Sequence, residues 1–154
     1  MKKITHVGVL VHDLEAAIAQ WGQLFGYREI KRMEVPPEGL RSVFLSRDGT
    51  PDHFMVELVQ VLDESDTTNP VAKRLRDNGE GMLHLCMVDE DTGVVARELQ
   101  AQGVRFAARP TSTGRGDDRL ILSPRATNGA MVEILSAREW SQVWEQESAR
   151  ETQS

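Results

Sequence analysis

"ITHVGVLVHDLEAA", residues 4–17, decides the fold. It sets His6 near the start of an apolar run that reads as a strand, with Asp13 behind that run as a helix N-cap. Leu14, Ala17, Ile18, Trp21 and Phe25 then recur at helical spacing on the face expected to pack, and Gly26 closes the helix as a C-cap. The second half repeats this order. "MLHLCMV" from Met82 is followed by Asp89, Glu90 and Asp91, a helical stretch through Val95 and Leu99, and Gly103. The exits match as well, "GYREIKR" from Gly26 and "GVRFAAR" from Gly103.

Three strands are expected after each helix, at 27–35, 41–47 and 53–61 in the first half and at 104–109, 118–123 and 130–135 in the second. Asp48 and Gly49 supply the turn before the last strand of the first set, and Asn128 and Gly129 do so in the second. Each half therefore reads as βαβββ, an internal duplication. The expected organisation is one domain over 1–154, with module one over 1–62, a linker over 63–81, module two over 82–135 and a C-terminal helix over 136–148. The linker, "TTNPVAKRLRDNGEG", carries Pro70 at the first position of a short helix and Gly79 and Gly81 at its exit. Ser136 and Glu139 form a capping box for the last helix, and Trp140, Val143 and Trp144 share one of its faces, expected to pack on the sheet.

Composition narrows the partners. The chain has 154 residues, 40% of them hydrophobic, enough to bury a core. Its net charge is −6 with both signs interspersed, so neither nucleic acid nor an anionic membrane is an expected partner. No stretch approaches a membrane span, and the run after the opening Met-Lys-Lys is short and broken by His6, unlike a signal peptide. The single cysteine, Cys86, excludes an internal disulfide and suits a reducing compartment, so the expected location is the cytoplasm.

The duplication explains the histidine. His6 and His84 occupy the same place in the first strands of the two modules, and Glu57 in "MVELV" and Glu133 in "MVEIL" occupy the same place in the last strands. The His-to-Glu separations are 51 and 49 residues. A lone strand histidine is more often a hydrogen-bonded core residue, and a lone Glu among apolar neighbours often faces solvent on an edge strand. Two matched pairs reverse that balance: a carboxylate buried in an apolar strand is costly unless paired or metal-bound. Two imidazoles and two carboxylates suit a divalent first-row metal at the floor of a cavity between paired sheets. His12 and His53 lack repeat counterparts and are expected in solvent, although His53 shares strand parity with Glu57. Cys86 reads as a small core residue.

At this point the chain resembles the vicinal oxygen chelate (glyoxalase/bleomycin resistance/dioxygenase) superfamily, and within it the methylmalonyl-CoA epimerase family. The stretches "ITHVGVLVHDLEAAI", "NPVAKRLRDNGEGMLHL" and "SPRATNGAMVEIL" carry the likeness, over residues 4–135. It implies an α+β fold in which the two tandem βαβββ modules form a curved mixed-sheet half-barrel around a metal site. It also implies His6, Glu57, His84 and Glu133 as ligands, a divalent cofactor (Co, Mn, Ni, Zn or Fe), an acyl-CoA or other thioester substrate, and a homodimer.

Three departures stand out. Ser42 in "GLRSVFL" occupies a third-strand position where some epimerases place a carboxylate; "TGRGDD" (113–118) and "SPR" (123–125) replace a Gly-x-His-Gly turn and a His-Pro-Lys.

The expected chemistry is isomerisation through an enolate, with charge stabilised where it develops on a substrate oxygen. Glu133, and after it Glu57, is the expected base, and Ser42 is expected to position a water. Three alternatives share the superfamily: glyoxalase I isomerisation, an iron dioxygenase, and a small-molecule-sequestering resistance protein. A dioxygenase site uses two histidines and one carboxylate, so Glu57 as a fourth ligand argues against it. The resistance proteins need no metal set.

Overall fold

The computed structural model describes residues 2–111 and 118–151. Among them the chain forms eight strands and four helices: β1 (Lys3–Leu10), α1 (Leu14–Phe25), β2 (Arg28–Val35), β3 (Leu40–Ser46), β4 (Met55–Val61), α2 (Pro70–Asn78), β5 (Gly81–Asp89), α3 (Thr92–Ala101), β6 (Phe106–Arg109), β7 (Arg119–Leu122), β8 (Met131–Ser136) and α4 (Ala137–Glu151). This is the α+β mixed-sheet fold with the repeated βαβββ order. Two compact units share it, one spanning His6–Leu83 and the other taking the chain through Thr5 together with everything from His84 onward.

In the His6–Leu83 unit the hydrogen-bonded order is β2-β3-β4-β1, with β1 and β4 parallel and the other neighbours antiparallel. Alternation sends Val43, Leu45, Val56 and Leu58 to one face, where they bury against Leu14 and Ala17 of α1. Asp13 caps that helix by accepting from the Ala16 N–H at 3.0 Å, and Gly26 ends it in the left-handed region at φ 71°. Phe25 departs from its expected packing and is 53% exposed. It lies in the last turn, where Trp21 turns its ring to Tyr27 and covers Phe25 only from one side, at 5.4 Å between centroids.

The other unit repeats the plan, with β5-β8-β7-β6 in hydrogen-bonded order and β5 parallel to β8. The start of β1 belongs here, and the Thr5 hydroxyl donates to the Cys86 carbonyl at 3.5 Å. Val95 of α3 packs on Leu120, Leu122, Val132 and Ile134. α3 ends in a Schellman arrangement, the Gly103 N–H bonding the Gln100 carbonyl and the Val104 N–H the Leu99 carbonyl. That arrangement holds Val104 in the cap, so β6 begins at Phe106 rather than at 104. α4 lies on β8, and its first turn receives the Ser136 hydroxyl, which accepts from the Glu139 N–H at 3.0 Å. Trp140 and Trp144 are half-buried with edge-to-face rings, as their shared helical face implied. In the linker, Asn69 is the cap of α2, accepting from the Val71 and Ala72 N–H groups, while its own amide donates to the Glu38 carbonyl.

Candidate functional site

Each unit carries one histidine and one glutamate in the same register. In the first, His6 on β1 lies opposite Met55 on β4, and Gly8 lies opposite Glu57. In the second, His84 on β5 lies opposite Met131 on β8, and Cys86 lies opposite Glu133. The acid therefore stands two residues beyond its histidine along a parallel neighbour, twice over. β4 and β8 each have strands bonded on both sides, so neither Glu57 nor Glu133 is an edge residue facing bulk water.

In the His6–Leu83 unit the residues of the face opposite α1 meet directly. His6 Nε2 is 3.2 Å from Glu57 Oε2, and the two side chains are 3% and 14% exposed. Phe44 lies opposite Glu57 on β3 and turns its ring edge-to-face with the imidazole at 4.9 Å. Ser42 follows on the same face, 5% exposed. The face that Phe44 takes was legible from the alternation it shares with Ser42; that it meets His6 was not. A buried imidazole beside a carboxylate, walled by an aromatic ring, is a donor pair that fits a divalent first-row ion.

In the second unit His84 is buried at 6%, Cys86 is fully buried, and Glu133 is half-buried. The face away from α3 carries all three, because Val132 and Ile134 beside Glu133 on β8, and Met87 beside Cys86 on β5, pack on the core side. Of the residues replacing the Gly-x-His-Gly turn, 113–117 lie outside the described residues. "SPR" is described; the Ser123 hydroxyl accepts from the Arg125 N–H at 3.3 Å.

The remaining histidines are exposed. His53 does not extend the Glu57 row: β4 begins only at Met55, and the ring is held by the Asp48 carboxylate in the preceding turn. The Ser46 hydroxyl, the Thr50 N–H and His53, in that order, hold Asp48 well below the usual carboxylate range. His12 pairs through Nδ1 with Glu64 at 2.8 Å, and its backbone N–H donates to Glu80. The Glu64 hydrogen bond, then the charges of Glu64 and Glu80, raise its pKa above 6.5. A folded-state value above the unfolded one means that this pairing stabilises the fold fully below about pH 6.5 and is lost as pH rises through the folded midpoint. An NMR titration is expected to place the His12 midpoint above 6.5, with Glu64→Gln bringing it down and added salt reducing the difference.

A duplicated βαβββ chain with a His–Glu pair at one register in each copy defines a class of small α+β proteins. The chain belongs to the glyoxalase/bleomycin resistance protein/dioxygenase superfamily, whose sequence profile matches residues 5–122. The ethylmalonyl-CoA/methylmalonyl-CoA epimerase of Cereibacter sphaeroides is 30% identical over 135 residues, covering 86% of this chain and 96% of that protein. The crystal structure of methylmalonyl-CoA epimerase from Mycobacterium tuberculosis superposes with a TM-score of 0.72 at 26% identity, covering 86% of each chain. A single-substitution variant of the methylmalonyl-CoA epimerase of Streptomyces coelicolor, solved in complex with 2-nitronate-propionyl-CoA, gives a TM-score of 0.72 at 25% identity over 87% of this chain and 96% of the other. Among the described residues no helix is long and apolar enough to cross a membrane.

Proposed function

We propose that the protein is a metal-dependent epimerase of a methylmalonyl-CoA-like acyl thioester, working as a homodimer. His6, Glu57, His84 and Glu133 together hold its divalent ion. The observation that carries this reading is the repeated register of histidine and glutamate, with His6 and Glu57 already 3.2 Å apart and withdrawn from water. The donor chemistry of His6, Glu57 and His84 supports it, as do relatives that are methylmalonyl-CoA epimerases. When bound, the ion supplies positive charge against a thioester oxygen as negative charge develops there.

The protein's own groups move the proton. Glu133 takes it from the carbon between the thioester and the carboxylate, and the C–H electron pair passes into the carbonyl. Glu57 is the second carboxylate able to act. The Ser42 hydroxyl has no useful basicity of its own, so its part is to hold a water that gives a proton to the opposite face of the carbon, after which the proton on Glu133 and the hydroxide left by that water recombine through solvent. Inversion then follows from a new C–H bond formed on the side away from Glu133.

The test is solvent deuterium incorporation. The metal-loaded protein is expected to exchange the acidic hydrogen of methylmalonyl-CoA and to interconvert its epimers, while leaving the glutathione hemithioacetal of methylglyoxal unchanged. Turnover of the hemithioacetal alone replaces the reading with a glyoxalase I isomerisation.

A further inference from the structure

Strand register draws one row through the glutamate of each unit. In the second unit the row runs Cys86, Glu133, Ile121, Ala107, and in the first it runs Gly8, Glu57, Phe44, Lys31. Beyond its acid the second row is apolar, whereas the first ends on a lysine. A bulge puts it there. Glu29 lies opposite Leu45, so an unbroken ladder would set Ile30 opposite Phe44, but the register shifts between Glu29 and Lys31 and Lys31 takes that place. Bulges re-aim side chains in this way and are over-represented beside active sites. Opposed residues share a face, and Phe44 meets the His6 ring on the face away from α1, so half-buried Lys31 stands on that face with Glu57 and Ser42. Ser42, opposite Met33, is the diagonal neighbour of Lys31 across β2 and β3, a separation that a long side chain spans.

We infer that Lys31 is the proton donor for the face of the substrate carbon away from Glu133, acting through the water at Ser42. This rests on the acyl-thioester reading above. As the electron pair on carbon takes a proton from that water, the O–H pair stays on the oxygen, which takes a proton from the Lys31 ammonium and is water again. Lys31 thus takes the part of solvent at the hydroxide, and its neutral amine recovers a proton from Glu133 through solvent, which restores both groups. An ammonium can give up a proton with an anion beside it, so this role does not require Lys31 to stand alone. The two copies divide the work: Glu133, in the apolar row, removes one proton, and the altered row of the first copy supplies the other.

The experiment follows one epimer of methylmalonyl-CoA in D₂O with the metal-loaded protein, reading deuterium entry by mass and inversion by circular dichroism. Lys31→Met is expected to slow inversion by about 10²-fold, the lower end of the range for a positioned proton donor, while exchange through Glu133 stays within a fewfold, so that deuterium enters with retention. Lys31→Arg keeps the charge but does not release its proton, and is expected to be as slow; it also carries the test if Lys31→Met fails to fold. Treating Lys31→Cys with 2-bromoethylamine restores an amine at similar reach, with Cys86 fully buried, and is expected to recover inversion. Wild-type inversion in Lys31→Met or in Lys31→Arg overturns the inference while the thioester reading stands, as does a loss of exchange and inversion together that the restored amine does not repair. A wild-type protein that neither exchanges nor inverts the substrate overturns the thioester reading, and the role of Lys31 with it.

Discussion

Glu133→Gln is expected to lower solvent deuterium incorporation into methylmalonyl-CoA by about 10²–10⁴-fold, the usual contribution of a positioned general base. The substitution keeps volume and hydrogen-bonding shape but removes the basic oxygen. Glu133 lies on β8, between Val132 and Ile134, which are 7% and 3% exposed, so the strand that carries it is fixed by core packing on its other face. Thermal unfolding of the variant is therefore expected to stay close to wild type, separating a chemical loss from a structural one. Glu57→Gln is the contrast. Both acids are proposed ligands, so exchange rates are compared at matched metal content; Glu57, within 3.2 Å of His6 Nε2, is expected to lose more metal and less rate than Glu133 when changed to Gln. Near-normal exchange in Glu133→Gln removes that residue as the base and shifts the role to Glu57.

Local chemistry made much of the fold readable from sequence. Asp13 caps α1 because a short carboxylate reaches an otherwise unsatisfied N–H, and Gly26 and Gly103 end their helices at positive φ, as does the Asn128–Gly129 turn at 57° and 97°. Such signals need only neighbours in the chain. The start of β6 was moved by the backbone hydrogen bonds that end α3, and the start of β4 by side chains acting over a few residues without a periodic signature. The Asp48 carboxylate gathers Ser46, Thr50 and His53 into a turn, which postpones β4 to Met55.

The candidate site was legible where the duplication marked it, since His6, Glu57, His84 and Glu133 fall at matching places in two copies. Contacts that depend on strand register were not. Phe44 against His6 and Lys31 opposite Phe44 follow from which residue pairs with which across hydrogen bonds, and no local pattern states that partner. Ser42 sits between these cases. Its position along the strand was readable, but its 5% exposure on the His6 face came only with the pairing of β3 to β4.

His6→Ala is expected to cost metal affinity more than the 10–100-fold typical of losing an outer-shell partner, because it removes a donor nitrogen rather than a residue that orients one. The effect is measurable without turnover. A ligand that binds only the folded state stabilises it by about 2.7 kcal/mol when present at 100 times its dissociation constant. If the variant binds 100-fold more weakly, the same metal concentration contributes only about 0.4 kcal/mol. Chemical denaturation with and without added Co²⁺ or Zn²⁺ therefore reads the site directly, and elemental analysis of purified protein gives a second measure. His12→Ala and His53→Ala serve as controls for histidine number: both rings are more than half exposed and engaged by Glu64 and Asp48 on the surface. These controls are expected to keep the full metal-dependent stabilisation. His6→Ala also removes the edge-to-face contact with Phe44, so its metal-free stability falls, and the comparison must be the difference between metal-free and metal-loaded protein within each variant. An undiminished difference in His6→Ala means that the ion, if bound at all, is held elsewhere, and the paired-donor reading of the duplication fails with it.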